Sequence, residues 1–184
     1  MTDRLEISGV HPLVGDASDL LGALAIATPH SDHIARMVKR RGEVMEMLAG
    51  GPEFPMSAAL EQMRQAGAGA SIADAMREMR RAKEAAQLAI AAADLSGAWT
   101  PDRVTQELTH LADTAVQTAL RVAIREGWAQ GWFEERRDSD DMPGLFALAM
   151  GKMGAGELNY CSDVDLILLF DLYVLPMKGQ RVKE

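Results

Sequence analysis

The spacing of apolar residues changes once along this chain, near residue 140. Before that point apolar positions recur every three or four residues, which is typical of helices. Residues suited to cap helix starts precede several of these stretches, namely Ser31, Ser71 and Thr100, the last followed by proline. The spacing and the caps predict helical stretches over residues 20–27, 33–49, 56–65, 72–93 and 101–127.

After residue 140 two continuous apolar runs appear, LFALAMG at 145–151 and VDLILLF at 164–170. Continuous runs of this length are typical of buried strands. A glycine-rich turn and a short helix should connect them. The sequence therefore predicts an α+β fold that is mostly helical overall. Its helical region covers 1–140, the start of an α/β domain covers 141–171, and a separate tail covers 172–184.

Composition narrows the class of protein. An apolar fraction of 48% supports a packed core, and the formal charge of −8 argues against nonspecific binding of nucleic acid. A single cysteine excludes an internal disulfide framework and fits a reducing cytoplasm. The sequence shows neither an apolar stretch long enough to span a membrane nor a signal peptide at its start. We therefore expect a cytoplasmic protein without a nucleic-acid or membrane partner.

The candidate chemistry lies in residues 151–170, GKMGAGELNYCSDVDLILLF. Asp163 and Asp165 are two positions apart, so on a strand both carboxylates would point to one face. Two such carboxylates repel each other unless a cation lies between them. In a glycine-rich setting the expected cation is Mg²⁺ carrying the phosphates of a nucleotide. Asp163 and Asp165 are thus the predicted metal ligands and catalytic residues, and a solvent-exposed acidic strand end is the structural alternative.

The glycine turn before the aspartates is the candidate phosphate site. Gly151 lets the backbone approach a phosphate closely, and Gly154 and Gly156 keep the turn tight so that backbone N–H groups can cradle an anion. Lys152 can neutralise a phosphate, or it can be a solvated lysine at a helix start. Ser162 can donate to a phosphate oxygen or cap the turn. The predicted phosphate-binding residues are Gly151, Lys152, Gly154 and Ser162.

Other polar residues favour structural roles. Cys161 has no CxxC partner and no nearby histidine, so we expect a packed thiol. Glu157 and Asn159 are expected to hold the turn, with an active-site role for Glu157 left open. Four basic residues of the long helix favour a solvated, ion-paired face over a partner surface: Arg77, Arg80, Arg81 and Lys83.

The 151–170 segment resembles the first catalytic motif of the DNA polymerase β-like nucleotidyltransferases. It is more closely similar to the glutamine synthetase adenylyltransferase/adenylyl-removing enzyme family, whose members carry a run much like GKLGGRELNFSSDIDLIF. Upstream, residues 76–120 resemble the family's Arg-rich helix, RDLAG turn and EVTxELSxLADA helix. The turn here reads Ala93-Asp94-Leu95-Ser96-Gly97, so Ala93 stands where the family has arginine. The likeness covers about residues 30–171.

The resemblance implies a function. Family enzymes are longer, with two nucleotidyltransferase domains joined by helical regions, and this chain looks like the N-terminal end, which carries the adenylyl-removing domain. There, inorganic phosphate would attack the adenylyl group on a tyrosine of glutamine synthetase, releasing ADP and the unmodified synthetase. The second domain would attach AMP from ATP. The implied partners are glutamine synthetase and a PII-type signalling protein.

Activity of this chain alone is not expected. Such sites need a third carboxylate on a later strand, and the sequence after Asp171 supplies none in context. The tail reads as an abrupt end, by truncation or frameshift. One alternative is a non-catalytic module that docks glutamine synthetase or a PII-type protein. Another is a nucleotidyltransferase acting on small molecules or RNA. A dinucleotide-binding site is a weaker alternative, because GKMGAG departs from the G-x-G-x-x-G spacing.

Overall fold

The computed structural model describes residues 19–66, 68, 71–133, 144–171, 173–174 and 177–178. The described chain is mostly helical and carries one small antiparallel sheet, which confirms the predicted α+β, mostly helical class. The predicted tail over 172–184 lies mostly outside the described residues. The division of the chain into a helical region and a nucleotidyltransferase start remains a prediction.

Among the described residues six α-helices precede the sheet, and short 3₁₀ turns at Thr28–His30 and Leu48–Gly50 follow two of them. The predicted caps are confirmed, since the side chains of Ser31, Ser71 and Thr100 each accept a hydrogen bond from a backbone N–H of the first turn. The predicted stretch over 33–49 is two helices, broken at a non-helical Arg41. The helices are α1 (Leu20–Ala27), α2 (Asp32–Arg40), α3 (Gly42–Met47), α4 (Glu53–Gln65), α5 (Ile72–Leu95) and α6 (Pro101–Ala129).

Helix α5 is the centre of the core. It packs against α1, α4 and α6, and its small buried side chains let those helices approach closely. The apolar face of α6 supplies Val104, Leu108 and Leu111 to the same core. The fully buried part of α5 consists of Ala75, Ala82, Ala86, Leu88, Ala89, Ile90, Ala92 and Ala93.

The surface of α5 is charged, as predicted. Arg77 and Arg81 pair with acidic residues one turn earlier on the helix, and Arg80 and Lys83 are also exposed. A stronger ion pair joins α5 to the break between α2 and α3. There a mostly buried Arg41 guanidinium lies 2.7 Å from Glu84 Oε2 and lowers the pKa of that carboxyl.

Strands β1 (Leu145–Ala149) and β2 (Leu166–Phe170) form an antiparallel pair in which Leu145 lies opposite Phe170 and Ala149 opposite Leu166. The prediction that both runs are buried strands is wrong. Every residue of β2 is exposed, because among the described elements only β1 makes extensive contact with it. Only alternate residues of β1 are partly covered, and a cavity of about 380 Å³ separates this strand from α6.

Candidate functional site

The residues predicted to bind phosphate and metal lie in one loop, residues 150–165, which we call the motif loop. It joins β1 to β2 and begins with a single helical turn, α7 (Gly151–Gly154). Its base is closed by the Met150 N–H, which donates to the Asp165 carbonyl oxygen at 2.9 Å. Across this base, Asp165 Oδ2 lies 3.8 Å from the point that a Cβ on Gly151 would occupy. The fold thus brings the first glycine of the motif beside the carboxylate of its last aspartate.

The two aspartates do not lie on a strand, contrary to expectation. β2 begins at Leu166, and both Asp163 and Asp165 precede it with exposed side chains. The reason is that β1 ends at Ala149, whose partner is Leu166. Of the two aspartates, only Asp165 makes a backbone hydrogen bond beyond that last residue pair, with Met150. The period-two argument that placed both carboxylates on one face therefore does not apply to them. Their roles as metal ligands and catalytic residues remain predictions.

Each glycine of the turn has a structural requirement. Gly151 and Gly156 have φ values of +55° and +75°, in the left-handed region that other residues rarely adopt. Gly154 is required for space, since a Cβ there would lie 2.4 Å from the carbonyl oxygen of Ala149. The turn can bend back against the end of β1 only because no side chain stands at these positions.

Replacing Gly154 with alanine should therefore loosen the motif loop. The added methyl group meets backbone rather than a movable side chain, so we expect a loss of about 1–3 kcal/mol. The matched control is Gly42→Ala at the start of α3, where nothing lies within 4 Å of the added Cβ. The control should change stability by less than about 1 kcal/mol and in the favourable direction. Thermal unfolding of the three proteins checks this, and equal melting temperatures would contradict the steric argument.

The polar residues before the aspartates form a local network. Ser162 Oγ donates to Asn159 Oδ1 at 2.9 Å and accepts from the Asn159 N–H at 3.1 Å. The Cys161 N–H donates to the same Asn159 oxygen. This geometry agrees with the structural role predicted for Asn159. Because the Ser162 hydroxyl proton is used within the turn, a phosphate contact by Ser162 would require it to rotate, and that role remains a prediction.

Two further expectations concern single residues of the loop. Lys152 is exposed, and its carbonyl oxygen accepts from the Glu157 N–H at 2.8 Å, which closes the glycine turn. The packed thiol predicted for Cys161 is wrong, since this side chain is exposed. The local turn directs residue 161 away from the core. Its side chain lines a cavity of about 490 Å³ between α2, α5 and the motif loop.

Sequence reasoning missed how the loop is attached to the helices. Met153 and Leu158 are buried in the same core as α5 and α6. The Leu158 N–H donates to Thr109 Oγ1 on α6, and the Tyr160 hydroxyl donates to Asp94 Oδ2 on α5. Burial and the nearby Asp94 carboxylate raise the pKa of Tyr160. No local signal identifies these partners, although Asp94 lies in the turn that resembles the family's RDLAG sequence.

The donor chemistry of the loop fits a magnesium ion only in part. Among the described residues, no group of three or more histidine, cysteine, aspartate or glutamate side chains is placed to hold a metal. Mg²⁺ is commonly bound by one or two carboxylates together with water and substrate phosphates, so two exposed aspartates suit it better than a closed cage would. The residues present therefore fit an ion that arrives with a phosphate ligand.

Comparison with known proteins shows that the chain is similar to enzymes named as adenylyltransferases of glutamine synthetase. The family model described as glutamate-ammonia ligase adenylyltransferase matches residues 21–183. The chain is 43% identical over 158 residues to the bifunctional glutamine synthetase adenylyltransferase/adenylyl-removing enzyme of Bradyrhizobium sp. strain BTAi1, an alignment that covers 84% of this chain. The enzyme with the same name from Rhodopseudomonas palustris strain BisB5 is 41% identical over 88% of this chain, and that from Caulobacter vibrioides 34% over 89%.

The chain therefore belongs to the glutamate-ammonia ligase adenylyltransferase family. It spans only 16% of the length of the Bradyrhizobium and Rhodopseudomonas enzymes and 17% of the Caulobacter one. In the described part of the chain, no helix combines the length and apolarity needed to cross a bilayer.

Proposed function

We propose that this chain supplies the helical region and the first catalytic motif of an adenylyl-removing site. The observation that carries the proposal is the closed base of the motif loop, where Gly151 lies beside the Asp165 carboxylate. A glycine in the left-handed region next to a carboxylate leaves room for a phosphate and its counter-ion, which a larger side chain would fill. The family relationship supports glutamine synthetase as the protein acted on.

In this proposal two aspartates bind the metal ion and the residues of the glycine turn contact the phosphate. Asp163 and Asp165 would hold Mg²⁺, which when bound supplies positive charge opposite the phosphates. Gly151, Lys152, Gly154 and Ser162 would border the phosphate. An oxygen of inorganic phosphate attacks the phosphorus of the adenylyl group, and the bond from that phosphorus to the tyrosine oxygen breaks. The products are ADP and a tyrosine whose oxygen takes up a proton.

The proposed setting is a longer cytoplasmic enzyme that answers to a PII-type signalling protein. The chain alone is proposed to be inactive, because the two described strands, of which β2 is fully exposed and β1 only partly covered, do not enclose a substrate. Because the described sheet encloses no site, a non-catalytic module is the second candidate, one that binds glutamine synthetase or a PII-type protein through the helices. Turnover separates the two candidates, since binding alone releases no ADP.

The decisive experiment is a hybrid enzyme. The matched 158 residues of the Bradyrhizobium enzyme are replaced by the aligned residues of this chain. Two rates are then measured, phosphate-dependent ADP release from adenylylated glutamine synthetase and ATP-dependent adenylylation of the unmodified synthetase. We expect the hybrid to retain both reactions, while the purified 184-residue chain releases no ADP above background.

Two outcomes would overturn the proposal. A hybrid that adenylylates the synthetase but releases no ADP would show that this chain cannot form the removing site. ADP release by the purified chain would refute its inactivity in isolation. Retained adenylylation also serves as the folding control, because that reaction is expected to use a domain outside the exchanged segment.

A further inference from the structure

We infer that Asp94, Thr109 and Tyr160 are positioning residues that fasten the motif loop to the helices and thereby place Asp163 and Asp165. All three lie outside the glycine turn and outside the pair of aspartates. The inference rests on the proposed function, because it assigns these residues a role in that same site. It follows from two hydrogen bonds that connect the loop to α5 and α6 across 66 and 49 residues of sequence.

The first anchor is Thr109 on α6. Its hydroxyl donates to the Thr105 carbonyl oxygen at 2.8 Å, which leaves an oxygen lone pair to accept from the Leu158 N–H at 3.2 Å. Both residues of this contact are buried, at 7% and 4% exposure. Without the Thr109 oxygen, the Leu158 N–H would be a buried donor with no partner, which is unfavourable.

The second anchor is Asp94, one residue before α5 ends. Its Oδ2 accepts from the Tyr160 hydroxyl at 3.0 Å. A carboxylate acceptor makes this bond stronger than one between neutral groups. Tyr160 and Asp163 are three positions apart, a span of at most about 11 Å even when fully extended. A fixed Tyr160 therefore limits how far the first aspartate can move.

The segment between the anchors and the aspartates is stiff enough to transmit this restraint. The Asn159 side chain accepts from the Cys161 N–H and from Ser162 Oγ, so residues 159–162 form one hydrogen-bonded turn. Moving Tyr160 would move this turn and the aspartate that follows it. The α5–α6 core has its own buried contacts and does not depend on the loop for most of them. Loss of an anchor should consequently affect turnover more than folding.

The test uses paired substitutions in the hybrid enzyme. Asp94→Ala and Thr109→Val remove the accepting oxygen, while Asp94→Asn and Thr109→Ser keep one in place. Tyr160→Phe keeps the ring and removes the donor. Because misplacement of about 1 Å can cost up to about 100-fold in rate, we expect kcat for ADP release to fall about 10- to 100-fold in Asp94→Ala, Thr109→Val and Tyr160→Phe. The Asn and Ser variants should restore most of the rate, with KM for the adenylylated synthetase nearly constant throughout.

A second measurement follows the loop directly in the full 184-residue chain. Amide hydrogen exchange should accelerate at Met150 and Leu158 in Tyr160→Phe and Thr109→Val, while the buried amides of α5 keep their protection. Unchanged kcat in all three disruptive variants, or equal losses in the conservative and disruptive members of each pair, would overturn the inference. An unsubstituted hybrid without ADP release would instead count against the proposed function, so the two failures are distinguishable.

Discussion

A hybrid enzyme with asparagine in place of Asp165 should lose phosphate-dependent ADP release by about 1000-fold, which corresponds to about 4 kcal/mol of transition-state stabilisation. Asparagine has nearly the size of aspartate but no negative charge, so it preserves packing and removes a ligand suited to Mg²⁺. The backbone bond from the Met150 N–H to residue 165 involves the main-chain carbonyl and should survive the change. Asp163→Asn should give a loss of similar size.

The matched control is Asp171→Asn at the opposite end of the same strand. Asp171 is also an exposed aspartate beside β2, but its carboxylate accepts from the Tyr173 N–H and lies outside the motif loop. This variant should release ADP within about threefold of the unsubstituted hybrid, as expected for surface substitutions away from a site. ATP-dependent adenylylation should stay unchanged in all of these variants. Equal losses of ADP release in Asp165→Asn and Asp171→Asn would mean that the rate depends on negative charge near the strand and not on a metal ligand at position 165.

The helical half of the fold could be predicted because its signals are local. A capping side chain such as Ser71 accepts from an N–H only three residues away, so the sequence contains both partners. The break at Arg41 could not be predicted in the same way. The Arg41 guanidinium is bound by Glu84, 43 residues further along, and sequence spacing carries no information about that pair. From the sequence alone, one continuous helix over 33–49 and two helices broken at Arg41 are therefore equally compatible with the apolar spacing.

In the candidate site, too, the features that depend on local conformation could be predicted and those that depend on distant residues could not. The requirement for glycine at Gly151 and Gly156 is a matter of local backbone conformation, and the sequence indicated a tight turn there. The attachment through Thr109 and Asp94 depends on side chains far away in sequence, so it was missed. The burial of the strands was predicted wrongly for a related reason. An apolar run shows that a strand can be buried, but it does not show what covers it.

Because β2 is exposed, we expect the purified 184-residue chain to self-associate, which is the second large effect predicted. β2 reads LILLF and contains no lysine, proline or glycine that would discourage edge pairing. Antiparallel pairing of β2 with a second copy would place Leu166 opposite Phe170 and Leu168 opposite its own counterpart. Asp165 would then face Asp171 of the second copy, a like-charge contact that salt screens. Association should therefore increase with both protein concentration and ionic strength.

Leu168→Lys should abolish this association, because a lysine in the middle of the strand would bring two positive charges together in the pair. Leu168 is 54% exposed, and the matched control is Met76→Lys on α5, where the exposed fraction is 47%. Sedimentation velocity should show Leu168→Lys at the 20.0 kDa monomer mass at every salt concentration, while the original chain and Met76→Lys sediment faster as salt is raised. If Met76→Lys also stays monomeric, then general surface hydrophobicity drives the association. If Leu168→Lys still associates, β2 is not the contact.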